Sequence, residues 1–228
     1  MTHNDIKTKF MIEYDKANVT SSYPSLTNYE IAVILNKAYL ALIAQKVTGN
    51  NVRRAPFEAD TKAISDVQEL IVSTELNLNN PAKHVTAENS ACYTIPQNFL
   101  YYVSGMVKLS GHDATVMLLP HEIAGNFKQT AINRPWIKNS VCYIEGDTIV
   151  VLYDNYDNND PGTDPKVPGK FTITYVKQPA SFTASFSGTF ELNDTMAEEL
   201  ITLAVTFALE NVESTRLQSQ VQMRGLEA

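Results

Sequence analysis

Val141-Cys142-Tyr143-Ile144-Glu145-Gly146-Asp147-Thr148-Ile149-Val150-Val151-Leu152-Tyr153 is two runs of strand-forming residues joined by Gly-Asp. A Gly-X pair between apolar runs predicts a tight II′ hairpin, because glycine accepts the positive φ of the first turn position. The same character extends to either side. Ala91-Cys92-Tyr93-Thr94-Ile95 and Leu100 to Leu109 are rich in β-formers. Phe171, Ile173 and Tyr175 alternate with Thr172 and Thr174, which predicts a half-exposed strand. Pro120-His121-Glu122-Ile123 reads as a short helix entry. Residues 154–169 read as a long loop of Asp, Asn, Pro and Gly, and loops of that length tend to be functional or disordered.

Helical patterns flank this region. Thr2-His3-Asn4-Asp5 is a capping-box variant, followed by Ile6, Phe10, Tyr14 and Ala17 on one face. Thr27-Asn28-Tyr29-Glu30 is a second capping box. Ile31, Ile34, Leu35, Ala38 and Leu42 follow at helical spacing, widened by Tyr39, Leu40 and Ile43, so burial is expected round much of this helix. Gly49-Asn50-Asn51 stops it. A third helix is expected from near Glu58, with Ala63, Ile64, Val67, Leu70 and Ile71 on one face, ending at Leu76 to Pro81. Asn193 is a good N-cap for a last helix, whose stripe is Leu200, Leu203, Ala204, Phe207 and Ala208. Beyond Val212 only Leu217, Val221 and Met223 are apolar.

The expected fold is α+β. N-terminal helices (1–80) and a long C-terminal helix (191–228) form a helical bundle, with a large antiparallel β-rich insertion (81–190) between them. The 228 residues, 44% of them hydrophobic, suffice for a real core. The net charge of -7 argues against wrapping DNA, which requires clustered Lys and Arg. The N-terminus lacks the apolar core of a signal peptide. Leu200 to Leu209 falls short of the roughly 20 residues that span a bilayer. A cytoplasmically made chain without a membrane partner is therefore expected. In that setting Cys92 and Cys142, with no Cys-x-x-Cys pair, read as buried thiols.

No local motif points to catalysis. His3, His84, His112 and His121 lack metal-ligand spacing, and His121-Glu122 lacks the second histidine of a zinc protease. There is no Gly-x-Ser-x-Gly and no phosphate loop. No enzyme activity, cofactor or metal is expected. Asp154, Asp157, Asp160 and Asp164 offer oxygens to calcium, but Pro161 breaks the alternation of an EF-hand loop and no glutamate closes it. A solvated hairpin tip is the simpler reading. Arg53-Arg54 and Arg216 with Arg224 are sparse basic features. Tyr93, Tyr101, Tyr102, Tyr143, Tyr153 and Tyr175 fall on expected strands, where packing is the ordinary role, and Trp136 reads as a packing anchor. Interaction is expected at the four aspartates and at Arg216, Leu217, Val221 and Arg224 of the last helix.

Element order carries a resemblance. Phe10 and Tyr14 precede the Thr27-Asn28-Tyr29-Glu30 helix. Asn133-Arg134-Pro135 leads into the hairpin. Ile173-Thr174-Tyr175-Val176-Lys177-Gln178-Pro179 and Phe190-Glu191-Leu192 precede a helix with Glu198-Glu199-Leu200-Ile201 and Ala204. Across nearly the whole chain this order resembles head-to-tail connector, or neck, proteins of short-tailed bacteriophages, the crAss-like phages nearest. The resemblance implies a structural virion protein of the neck. It would form a homo-oligomeric ring, typically of twelve copies, below the portal, passing genomic DNA through its channel and attaching the tail or neighbouring neck proteins. The large β-rich middle departs from the smaller helical adaptors of that group. The alternative is a β-rich module of a phage or bacterial surface assembly that binds a glycan or small ligand.

Overall fold

The computed structural model describes residues 1–15, 25–48, 61–79, 90–109, 112–124, 139–153 and 170–211. The helices are α1 (His3–Asp15), α2 (Asn28–Thr48), α3 (Thr61–Val67) and α4 (Asp194–Asn211), with a 3-10 turn at Gln68–Leu70. The strands are β1 (Ile71–Asn77), β2 (Ser90–Thr94), β3 (Phe99–Leu109), β4 (His112–Leu118), β5 (Asn139–Glu145), β6 (Thr148–Leu152) and β7 (Lys170–Lys177). The chain divides into a helical unit, Met1–Leu70 with Pro179–Ala228, and a sheet unit, Ile71–Gln178.

The sheet unit is one seven-stranded sheet in the order β1-β7-β3-β4-β5-β6-β2. It curls, so that its edge strands meet at one corner. There Leu78 bridges Tyr93, and the Asn79 backbone N–H donates to the Cys92 carbonyl at 2.9 Å. The concave side is filled from every strand, with Tyr93, Val107, Val116, Ile149, Val151, Phe171 and Ile173 at its centre. A second layer lies on the other side of β2, β5 and β6. Cys92, Val141, Tyr143, Val150 and Leu152 are buried there with Ala124, which sits in a helical turn at 121–124. This two-sided burial explains why β6 is apolar at nearly every position instead of alternating. The β5–β6 hairpin turns at Gly146-Asp147. Gly146 has φ of 61° and Asp147 keeps a negative φ, as a II′ turn requires and a I′ turn does not.

In the helical unit, α1 and α2 both pack on α4. Ile6, Phe10 and Tyr14 bury one face of α1. The start of α2 is capped reciprocally: Thr27 N donates to Glu30 Oε2 (2.7 Å) and Glu30 N to Thr27 Oγ1 (3.3 Å). The irregular stretch 179–193 completes the core. Its Phe182, Phe186, Phe190 and Leu192 are buried. Phe182 is clamped on both backbone groups by Asn36: the Asn36 amide donates to its carbonyl (3.0 Å), and its own N–H donates to Asn36 Oδ1 (2.7 Å).

The expected helical bundle around an antiparallel insertion is therefore corrected. The protein is a sheet-dominated α+β fold with a mixed sheet, and among the described residues no bundle closed by a long C-terminal helix is present. Two physical reasons account for this. The side chains that a further helix would bury come from the phenylalanines of 179–193, whose four-residue spacing lies in irregular chain. Strands β4 and β5 pair in parallel, which needs a crossover of a dozen or more residues. The chain between Leu118 and Asn139 is long enough to supply one.

The third helix is corrected as well. It ends at Val67, and Ile71-Val72-Ser73-Thr74 is strand. Leu70 and Ile71 continue the helical stripe, but the β-branched Ile, Val and Thr are stiff at χ1 and favour the pleated surface against β7.

Candidate interaction surfaces

The residues expected to mediate contacts, Asp154, Asp157, Asp160, Asp164, Arg216, Leu217, Val221 and Arg224, all lie outside the described residues. So do Arg53, Arg54, His84 and Trp136. Among the described residues, no group of three or more His, Cys, Asp or Glu could hold a metal ion. The His121 ring lies 5.5 Å from that of Tyr143, tilted by 49°. Tyr93, Tyr143, Tyr153 and Tyr175 are buried, while Tyr101 and Tyr102 are half-buried.

The buried thiols face opposite ways. Cys142 lies in the concave core and Cys92 in the outer layer, with β6 between their strands, so the two cannot bridge. Burial pushes the Cys142 thiol up to about 12, against the opposing pull of its hydrogen bond with Tyr102. A thiol held protonated is a poor nucleophile. Burial likewise raises the Tyr39 and Tyr93 hydroxyls above their ordinary range.

Helix α2 is the main surface feature. Ile31, Ile34, Leu35, Ala38, Leu42 and Ile43 are buried. Tyr29, Val33 and Leu40 are exposed at 71%, 49% and 42%. Spacings of four and seven place these three in a line along the helix. The helix therefore exposes an apolar stripe, flanked by the exposed Glu30 and Lys37, in addition to the face it buries, and it is long and apolar enough to cross a bilayer by length and composition alone. Lys37 lies beside the stripe with its Nζ 4.7 Å over the Phe207 ring, so the cation turns towards α4. The spacing of Tyr29, Val33 and Leu40 is visible in the sequence. The expectation that Leu40 belongs to a wide buried stripe nevertheless fails, because nothing local states which side of such a helix its own subunit covers.

His3 is the other unusual group. Its side chain is buried, its ring lies 4.3 Å from that of Phe182, and its Nδ1 has no partner. Burial pulls its pKa below the ordinary 6.5, opposed by the weaker field of the Glu191 carboxylate. Because the folded value is the lower one, the unfolded chain binds the proton first. Stability is then fully present above 6.5 and falls as pH drops below it. The melting temperature is expected to fall over that interval in the wild type and to lose this slope in His3→Phe, which keeps the ring contact. An identical slope in the variant would assign the effect to another group.

Neither the protein-family models nor the curated proteins compared with this chain match it.

Proposed function

We propose that the chain is a non-enzymatic structural subunit of a ring in the neck of a tailed bacteriophage. The ring lies below the portal, extends the DNA channel and offers the tail an attachment surface. The element order described above motivates the reading, and the exposed stripe of α2 is the observation that supports it best. Large apolar residues lined up on an exposed helix face mark a contact surface. Helix α2 leaves Tyr29, Val33 and Leu40 to water, as a subunit awaiting a neighbour would. Rings are built from heterologous contacts, so the stripe meets a different surface of the next copy. The acidic balance suits a conduit that must not hold DNA. A glycan-gripping module has less support, because most of the tyrosines that would stack on a sugar are in the core.

The test is negative-stain imaging of the full chain mixed with its portal protein. Closed rings are expected, and Val33→Asp with Leu40→Asp should abolish them while leaving the melting temperature in place. A chain that stays monomeric with its portal and neighbouring virion proteins would sink the reading.

A further inference from the structure

The free edge of β1 is a second surface, of different chemistry. The Asn79 backbone N–H donates to the Cys92 carbonyl, so it points away from β7 and towards β2. Backbone direction alternates along a strand, so Ile71, Ser73, Glu75 and Asn77 turn N–H and C=O the same way. The 2.8 Å contact between Ser73 Oγ and Thr174 Oγ1 agrees, since side chains come closest in pairs that exchange no backbone hydrogen bond. Asn77 adjoins the corner where Leu78 meets β2. At Ile71, Ser73 and Glu75, no described strand takes up these groups, and Ser73, Thr74 and Glu75 are exposed.

Edge strands are normally protected by proline, lysine or a bulge. β1 has neither residue, and its register with β7 runs without a shift from Ile71 to Asn77. Its one charge, Glu75, is tied to Lys170 by an ion pair. The opposite edge strand, β2, is buried along Ala91-Cys92-Tyr93.

We infer that β1 pairs antiparallel with β1 of a second copy of this chain, joining the two sheets across a two-fold axis. The sequence of the edge favours a copy of itself. With Ser73 opposite the partner's Ser73, Ile71 faces the partner's Glu75 and Val72 faces the partner's Thr74. No like charges oppose each other, and the outward-turned groups of Ile71, Ser73 and Glu75 meet their own kind in register. A polar ring needs head-to-tail contacts, so this pair is a state of the free chain, independent of the ring reading.

Sedimentation velocity of the full chain over a wide concentration range tests it. The wild type should associate reversibly to a dimer. Ser73→Pro removes an N–H that points away from β7, so the sheet should survive while the dimer weakens roughly tenfold or more. Thr74→Pro removes an N–H bonded to β7 and should instead lower the melting temperature. Ser73→Cys, which alters the fold little, should form a disulfide dimer under mild oxidation, since directly paired residues lie within bridging distance. Cys92 and Cys142 are buried and do not compete. A wild type that is monomeric throughout would overturn the inference. So would a Ser73→Pro chain that dimerises as well as the wild type, or a Ser73→Cys dimer that fails to cross-link.

Discussion

Lys46→Met is expected to cost about 3 to 5 kcal/mol of folding stability, a large share of what a protein of this size has. The Lys46 Nζ lies 2.8 Å from Asp66 Oδ2 and 2.8 Å from Glu199 Oε2, joining α2, α3 and α4. The Asp66 side chain is only 5% exposed. Removing the cation strands a carboxylate that water cannot reach, and that penalty exceeds the worth of the pair itself. Glu199 suffers less, being partly hydrated and 3.9 Å from Lys62. The double variant Lys46→Met with Asp66→Leu should regain most of the loss, because apolar replacement of both partners removes the stranded charge. Urea denaturation midpoints of the two variants decide the matter, and equal midpoints would show that Asp66 finds another partner or water.

The same network predicts an alkaline limit. Burial alone would lower the Lys46 pKa, but the bonds from Asp66 and Glu199 outweigh it and raise the value above 10.5. Stabilisation from a raised lysine is complete below 10.5 and disappears as pH climbs through the folded value.

Gly105→Ala is expected to cost about 2 to 3 kcal/mol. Gly105 lies within β3 with an ordinary φ, so its role is space. A Cβ there would stand 2.5 Å from Phe171 Cε2, 2.7 Å from Phe171 Cζ and 2.6 Å from the Tyr102 hydroxyl oxygen. Phe171 is fully buried, with its ring 5.3 Å from that of Tyr93. Tyr102 donates its hydroxyl to the Val116 carbonyl at 2.6 Å and cannot swing aside without losing that bond. The entropy gained by replacing glycine, about 0.4 to 1 kcal/mol, is too small to compensate. Chemical denaturation should show the loss, and Gly105→Ala with Phe171→Leu should lose less than the sum of the single variants. An unchanged midpoint for Gly105→Ala would mean that the Phe171 ring moves freely.

The features legible in the sequence are those set by neighbours along the chain. The Thr27–Glu30 box forms, and Asn193 Oδ1 accepts from Met196 N at 2.8 Å. The Gly146 turn and the alternation of β7 follow the same local logic. Strand pairing is set by residues far apart in the chain. Nothing within Asp113-Ala114-Thr115-Val116 states that the next strand will arrive parallel. Whether Ile71 continues a helix or opens a strand depends on Val176, its partner across the sheet. The expected aspartate loop and the far part of the last helix lie outside the described residues. The surfaces that can be described, on α2 and β1, come from what each unit leaves uncovered.

The path of the chain has a consequence for how the helical unit closes. The chain leaves that unit after Leu70 and returns at Pro179, yet the sheet unit begins and ends on paired strands, with Ile71 opposite Val176. An unfolded insert between these points is a long loop whose ends must find each other. A folded one holds them together as a tight turn would. By the logarithmic cost of loop closure the difference is about 3 kcal/mol. Folding of the sheet thus lowers the entropic barrier to bringing α4 back onto α1 and α2, and couples two units that share no strand.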